Sequence, residues 1–202
     1  MTRLGVLGGT FDPPHFGHLV IAQEAAFALG LERVLFAPAR MPPHKLGEPL
    51  TPAGHRIRMT ELAIAGSPTF ELSTADLEGT GPSYTLDLID RLKAERGSWA
   101  EIAFIVGMDS LAELPSWREP ENVLDSCLLV AVQRPGQAQV DLRQLGEAIA
   151  GRAHKICVLE APGVEVSSTL LRERVARGEP IRYLTPDSVV DYIQSEGLYR
   201  GI

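Results

Sequence analysis

Cysteine is nearly missing from the chain, with two in 202 residues. Cys127 and Cys157 each stand inside an apolar run, so there is no Cys-x-x-Cys pair and no disulfide framework. Both read as small core hydrophobes. Positive charge is short as well: 19 Lys and Arg face 26 Asp and Glu, a net charge of -7. That balance suits no protein that wraps a nucleic-acid backbone. No apolar run is long enough to span a bilayer, and Met1-Thr2-Arg3 leads straight into the first apolar stretch without a signal-peptide pattern. The expectation is a cytoplasmic chain with no membrane and no nucleic-acid partner; assembly into a homo-oligomer is left open. Repeats, low-complexity segments and linkers are absent too. So is any Gly-x-Ser-x-Gly, which removes the α/β-hydrolase elbow.

What is present is an ordinary globular composition, 45% hydrophobic and 22% charged, with length for one core. Short apolar runs at 4–7, 33–38, 70–73, 100–107, 127–132 and 155–159 read as strands. Helical patterns lie between them, from residue 19 to Gly30, from Thr51 as N-cap and Pro52 as first helical residue to Gly66, from Ser83 as cap through Leu92, and over 142–149. Two more helices start at Ser167 and at Thr185-Pro186. Alternating strands and helices predict an α/β fold: a doubly wound, mostly parallel, Rossmann-like sheet with a small C-terminal helical part at 166–202, all within one domain spanning 1–202.

The chain is organised around Gly8-Gly9-Thr10-Phe11-Asp12-Pro13-Pro14-His15-Phe16-Gly17-His18. An apolar strand precedes it and an Ala-rich helix follows, so it is a strand-to-helix crossing. Such crossings present backbone N–H groups to phosphates. Gly8 and Gly9 have no side chain to hold a ligand away, and Thr10 adds a hydroxyl. His15 and His18 are three apart and share a face on a first helical turn. The plainer reading is a glycine turn with two capping or core histidines. A zinc site is the poorer reading, because His-x-x-His without a neighbouring Cys or carboxylate cluster lacks the ligand count. The overall negative charge does not exclude a small anion, since local N–H groups and a few cations can hold phosphates.

Other candidates lie at strand ends and helix starts. His44 and Lys45, in the Pro-rich loop after the second strand, could reach phosphates or form a solvated basic pair. Arg56 and Arg58 read as surface or interface charges. Ser83-Tyr84-Thr85 sits at a helix N-terminus, where N–H groups point outwards. Gly107-Met108-Asp109-Ser110 is a second strand-to-turn crossing, where Asp109 could accept from ribose hydroxyls, cap a helix, or both. Trp117, past a Pro-broken turn, is a core aromatic or a stacking platform for a flat ring. Ser167, Ser168 and Thr169 open a helix whose hydroxyls and N–H groups can take phosphates, with Arg172 one turn inside as a bidentate guanidinium.

Gly-Gly-Thr-Phe-Asp-Pro followed by His-x-Gly-His resembles the nucleotidyltransferase superfamily of adenylyl- and cytidylyltransferases. With Val-Ser-Ser-Thr-Leu-Leu-Arg near the end, Pro42-Pro43-His44-Lys45, Pro82-Ser83-Tyr84-Thr85-Leu86-Asp87 and Gly107-Met108-Asp109-Ser110 running to Trp117, the chain is similar over nearly its whole length to the bacterial nicotinate-nucleotide adenylyltransferase family. The resemblance implies an enzyme joining nicotinate mononucleotide to ATP, with nicotinate adenine dinucleotide and pyrophosphate as products. It implies that Gly8, Gly9, Thr10, Phe11 and Gly107 line the ATP site. His15 and His18 hold phosphates and the transition state, while Ser167, Ser168, Thr169 and Arg172 grip the β- and γ-phosphates. Thr85, Asp109 and Trp117 take the pyridine nucleotide, with His44, Lys45 and Arg118 in the same substrate set. Arg118 stands where the family pattern has an aromatic residue, so it adds charge for an acid or faces solvent. Mg2+ would ride mainly on the ATP phosphates, with no protein metal site. The alternatives are nicotinamide mononucleotide or phosphopantetheine as acceptor, or a nucleotide-binding module without turnover.

Overall fold

The computed structural model describes residues 3–43, 47, 49–79, 81–96, 101–136 and 140–200. Its strands are β1 (Arg3–Gly9), β2 (Arg33–Pro38), β3 (Phe70–Leu72), β4 (Glu101–Gly107), β5 (Leu128–Gln133) and β6 (Ile156–Glu160). They form one sheet in the order β3-β2-β1-β4-β5-β6, parallel throughout. The chain builds outward from β1 to β3, crosses back to β4, and builds outward again. Strand order therefore reverses between β1 and β4, and the crevice for ligands in such sheets opens at that switch point. The two strand-to-turn crossings read from the sequence are the C-terminal ends of these two paired strands, with Leu7 opposite Ile105.

Both faces of the sheet are covered, so its strands are unbroken apolar runs and not alternating ones. Successive residues still point to opposite faces. Val6, Phe104 and Leu129 pack with Leu88 and Leu92 of α3 (Thr85–Arg96) and Leu124 of α5 (Pro120–Ser126). Leu7, Ile105 and Val130 pack with Ala22 and Ala25 of α1 (Phe16–Leu29). A third apolar cluster joins Met59 of α2 (Ala53–Ile64) to Leu171 of α7 (Ser168–Ala176), to Val189 and Ile193 of α8 (Asp187–Ser195), and to Tyr199. The C-terminal helices are thus anchored on α2. Helix α6 (Leu142–Ala148) precedes β6, and α4 (Met108–Ala112) follows β4 directly. Among the described residues no helix is long and apolar enough to cross a membrane.

Several expectations shift. Helix α1 starts at Phe16 with His15 as its N-cap, earlier than the apolar run at 19 suggested. Pro52, not Thr51, occupies the N-cap of α2. Ser83 does not cap α3: its hydroxyl accepts from the Met41 N–H at 2.9 Å and its own N–H donates to Met41 O at 2.8 Å, tying the loop after β2 to the start of α3. Helices α4 and α5, of 5 and 7 residues, are too short to carry a readable period.

The largest correction is Arg56. It is no surface charge but 2% exposed. Its Nη1 donates to Thr10 O at 2.9 Å and Ala39 O at 2.7 Å, and its Nε to Thr51 O at 2.9 Å. A guanidinium presents several donors in a fixed fork, which suits it to gather carbonyls from three segments. Arg58 does lie at the surface, paired with Glu61 at 3.0 Å.

Candidate active site

Four carbonyls of the loop from Thr10 to Pro14 are held by side chains from elsewhere in the chain. Arg56 takes Thr10 O, Arg172 Nη1 takes Asp12 O at 2.7 Å, Ser168 Oγ takes Pro13 O at 2.8 Å, and Thr185 Oγ1 takes Pro14 O at 2.8 Å. Three of these donors come from the C-terminal part, some 155 to 171 residues away in sequence. Glycine suits the close packing at the strand end: a Cβ on Gly9 would sit 3.0 Å from the Phe11 ring, and one on Gly8 3.2 Å from Phe104. The Phe11 ring itself is buried, tilted against Phe36 at 5.6 Å and edge-on to His18 at 5.0 Å. It supports the histidine from below, so what it can offer a ligand is backbone.

His15 and His18 open α1 as N-cap and third helical residue. Their rings stack at 3.7 Å, and the His15 N–H donates to His18 Nδ1 at 3.2 Å. With Nδ1 an acceptor, a neutral His18 carries its proton on Nε2, where it is a donor. His15 is buried, and among the described residues its Nδ1 is a buried side-chain nitrogen without a hydrogen-bond partner. Burial, aided by the charge of Arg134, pushes the His15 imidazole down to about 4. It is therefore neutral at pH 7. An unfolded histidine titrates at 6.5, so between 6.5 and about 4 the unfolded chain binds more protons. The stabilisation is fully present above 6.5 and is lost as pH falls toward 4, at a slope approaching about 1.4 kcal/mol per pH unit. His15→Gln should flatten that part of a denaturant-derived stability–pH curve relative to the parent. An unchanged slope would show that His15 titrates normally.

The α7 start is built as its sequence suggested, with Ser167 as N-cap accepting from the Leu170 N–H at 3.1 Å. The hydroxyls are already engaged: Ser168 on the loop, and Thr169 accepting from Arg172 Nη2 at 3.3 Å. The backbone N–H groups of the first turn are then the anion donors this end offers. Both helix starts meet on the loop between Asp12 and Pro14. Arg134, at the end of β5, is a neighbour that sequence reasoning passed over; its Nη1 also donates to Val164 O at 3.3 Å. The signal was available, since an Arg-Pro-Gly loop ending a parallel strand stands at the sheet edge where the ligand crevice opens.

On the β4 side, Gly107 caps α4 and Asp109 lies exposed in its first turn, so Asp109 is not the N-cap. Trp117 is half-buried, edge-on to Phe104 at 6.4 Å with one side on the core. Arg118 reaches back to the start of α3: its guanidinium lies 4.7 Å over the Tyr84 ring and pairs with Asp87 at 3.4 Å and Glu119 at 3.3 Å. That brings Trp117 and Arg118 to the helix end carrying Thr85, and Arg118 does not simply face solvent. His44 and Lys45 lie outside the described residues.

A parallel sheet carrying a Gly-Gly-Thr turn and a His-x-Gly-His helix start at its switch point defines a nucleotidyltransferase, and the chain belongs to the cytidylyltransferase-like family, whose family model matches residues 6–174. Its curated relatives narrow this. A protein of Symbiobacterium thermophilum named "Probable nicotinate-nucleotide adenylyltransferase" is 48% identical over 98% of this chain and 96% of its own. One of the same name from a Roseiflexus species is 46% identical over 98% of both. At that identity and coverage, the chain is a member of the nicotinate-nucleotide adenylyltransferase family. The fold is also that of the solved Plasmodium falciparum nicotinic acid mononucleotide adenylyltransferase complexed with APC, with a TM-score of 0.78, 22% identity, and coverage of 98% of each chain.

Proposed function

We propose that the chain joins nicotinate mononucleotide to ATP, forming nicotinate adenine dinucleotide and pyrophosphate in NAD biosynthesis. The observation that carries this is the fastening of two helix starts to one loop at the switch point, through Arg172 to Asp12 O at 2.7 Å and Ser168 to Pro13 O at 2.8 Å. A triphosphate beside that loop would meet first-turn N–H groups of α7, the imidazole of His18 and the guanidinium of Arg172. Gly8, Gly9, Thr10, Phe11 and Gly107 would border the nucleotide through their backbone. Ser167, Ser168 and Thr169 would offer the β- and γ-phosphates the first-turn amides of α7. Thr85, Asp109 and Trp117 would hold the pyridine nucleotide, with Arg118 at the edge of that pocket.

The chemistry asks little covalent work of the protein. The 5′-phosphate of the mononucleotide is already ionised and needs no base. One of its oxygens bonds to the α-phosphorus of ATP in line with the departing group. The bond to the bridging oxygen breaks, and its electron pair leaves on pyrophosphate. Positioning and charge stabilisation therefore dominate. Neutral His15 adds no fixed charge, His18 donates a hydrogen bond, and Arg172 and Arg134 supply the positive charge. Magnesium would come with ATP, carried mainly on its phosphates, where it would offset their charge. Among the described residues no three His, Cys, Asp or Glu side chains converge as a metal cage. The enzyme would act in the cytoplasm.

The test is a paired assay of pyrophosphate release at fixed ATP, with nicotinate mononucleotide in one arm and nicotinamide mononucleotide in the other. Faster turnover of the acid is expected. Equal or better use of the amide would overturn the acceptor, and no release with either would leave a binding module.

A further inference from the structure

Asp12 is a node where three distant segments meet. It is 2% exposed. Its Oδ1 accepts from the Tyr199 hydroxyl at 2.6 Å, its Oδ2 from the Thr51 N–H at 3.2 Å, and its main-chain oxygen from Arg172 Nη1 at 2.7 Å. Tyr199 follows the turn after α8, where Leu198 N–H donates back to Ile193 O at 3.0 Å, and it returns inward to 5% exposure. Its ring belongs to the apolar cluster of α2, α7 and α8, with the hydroxyl 3.8 Å from Met59 Sδ. Only the hydroxyl is chemically special there. Burial, and then the charge of Asp12, push the phenol above its ordinary range, so it stays protonated and donates.

Resting on the reading that Arg172 grips phosphate, we propose that Tyr199 is a positioning residue that keeps this guanidinium available to ATP. A buried carboxylate demands donors. Two cations lie close: Arg56, already committed to three carbonyls, and Arg172, which touches the carbonyl of the same residue. The phenol satisfies Oδ1 without spending either. Remove it, and the Asp12 carboxylate draws Arg172 off the phosphate site.

The consequence is a specific pattern in the affinity for a non-hydrolysable ATP analogue, measured by calorimetry beside thermal melts. Tyr199→Phe keeps the ring in its cluster and should weaken binding about tenfold, the worth of one hydrogen bond to a charged group. Adding Asp12→Asn removes the attracting charge and should restore affinity at least partway, although the melting temperature falls further. Ser188→Ala, which deletes the hydroxyl bonded to Leu62 O at 3.1 Å, loosens α8 on α2 without touching Asp12 and should lower stability alone. Tyr199→Phe binding within about twofold of the parent, or a double variant weaker than the single, would overturn the proposal, since a merely structural tyrosine gives one or the other. A parent that binds no analogue overturns both this inference and the adenylyltransferase reading. A parent that binds it and ignores the Tyr199 change overturns this one only.

Discussion

His18→Ala lowers turnover by roughly two to three orders of magnitude while the protein still folds, the usual loss when one preorganised donor to developing charge is deleted. The effect is this large because nothing else can move into place. The ring is fixed on three sides: stacked on His15 at 3.7 Å, met edge-on by Phe11 at 5.0 Å, and accepting the His15 N–H at its Nδ1 at 3.2 Å. Those contacts dictate both the plane of the imidazole and its tautomer. A water in its place would have to be ordered anew for each turnover. The deficit should appear in kcat more than in KM, because the donor matters most as charge passes to the leaving pyrophosphate.

Folding survives for a separate reason. Helix α1 is held to the sheet by Ala22 and Ala25, a turn or more beyond His18, and Gly30 closes its far end with a φ of 60°. His18 is only half-buried, so truncation opens a water-accessible gap and no deep cavity. Turnover within fivefold of the parent, in a protein with an unchanged melting temperature, would remove His18 from the chemistry.

The difference between His18 and Arg56 marks what could be read from the chain. The Gly-Gly-Thr turn, the histidine spacing and the Ser-Ser-Thr helix start announce themselves because each is complete within a few consecutive residues and each has a local physical cause. Strand and helix alternation placed them at strand ends, and parallel pairing of β1 with β4 then brought two crossings side by side. The carbonyl clamps on the loop were not legible. Nothing near Ser168, Thr185 or Tyr199 in sequence indicates that their hydroxyls reach Pro13, Pro14 and Asp12, because that depends on how α7 and α8 dock on α2. His15 looked like one of an equivalent pair. Its depressed basicity comes from depth and from Arg134, more than a hundred positions on, and neither is a local property. Ser83 carried an N-cap's identity, but its hydroxyl was claimed by Met41 from a loop the helical pattern does not see.

Arg56→Met should be the most destabilising of these substitutions, costing about 3–5 kcal/mol, the range for breaking a buried charged arrangement by removing one partner. Methionine fills a similar length of apolar space and supplies no donor. The carbonyls of Thr10, Ala39 and Thr51 then lose the fork that joins them. The carboxylates of Asp12 and Asp76 lose the nearby positive charge as well. For a chain of this size, each kcal/mol corresponds to about 2–4 °C, so the melting temperature should fall by roughly 6–20 °C. Arg56→Lys retains the charge but not the planar fork, and should recover only part of the loss. Because the clamp on Thr10 lies at the base of the loop that carries the histidines, turnover of whatever Arg56→Met protein remains folded should fall too. A melting temperature within about 2 °C of the parent would mean that the three carbonyls find water or one another. The buried guanidinium would then be a passenger in the fold, and the loop would owe its shape to its remaining donors, the C-terminal ones and the Thr51 N–H.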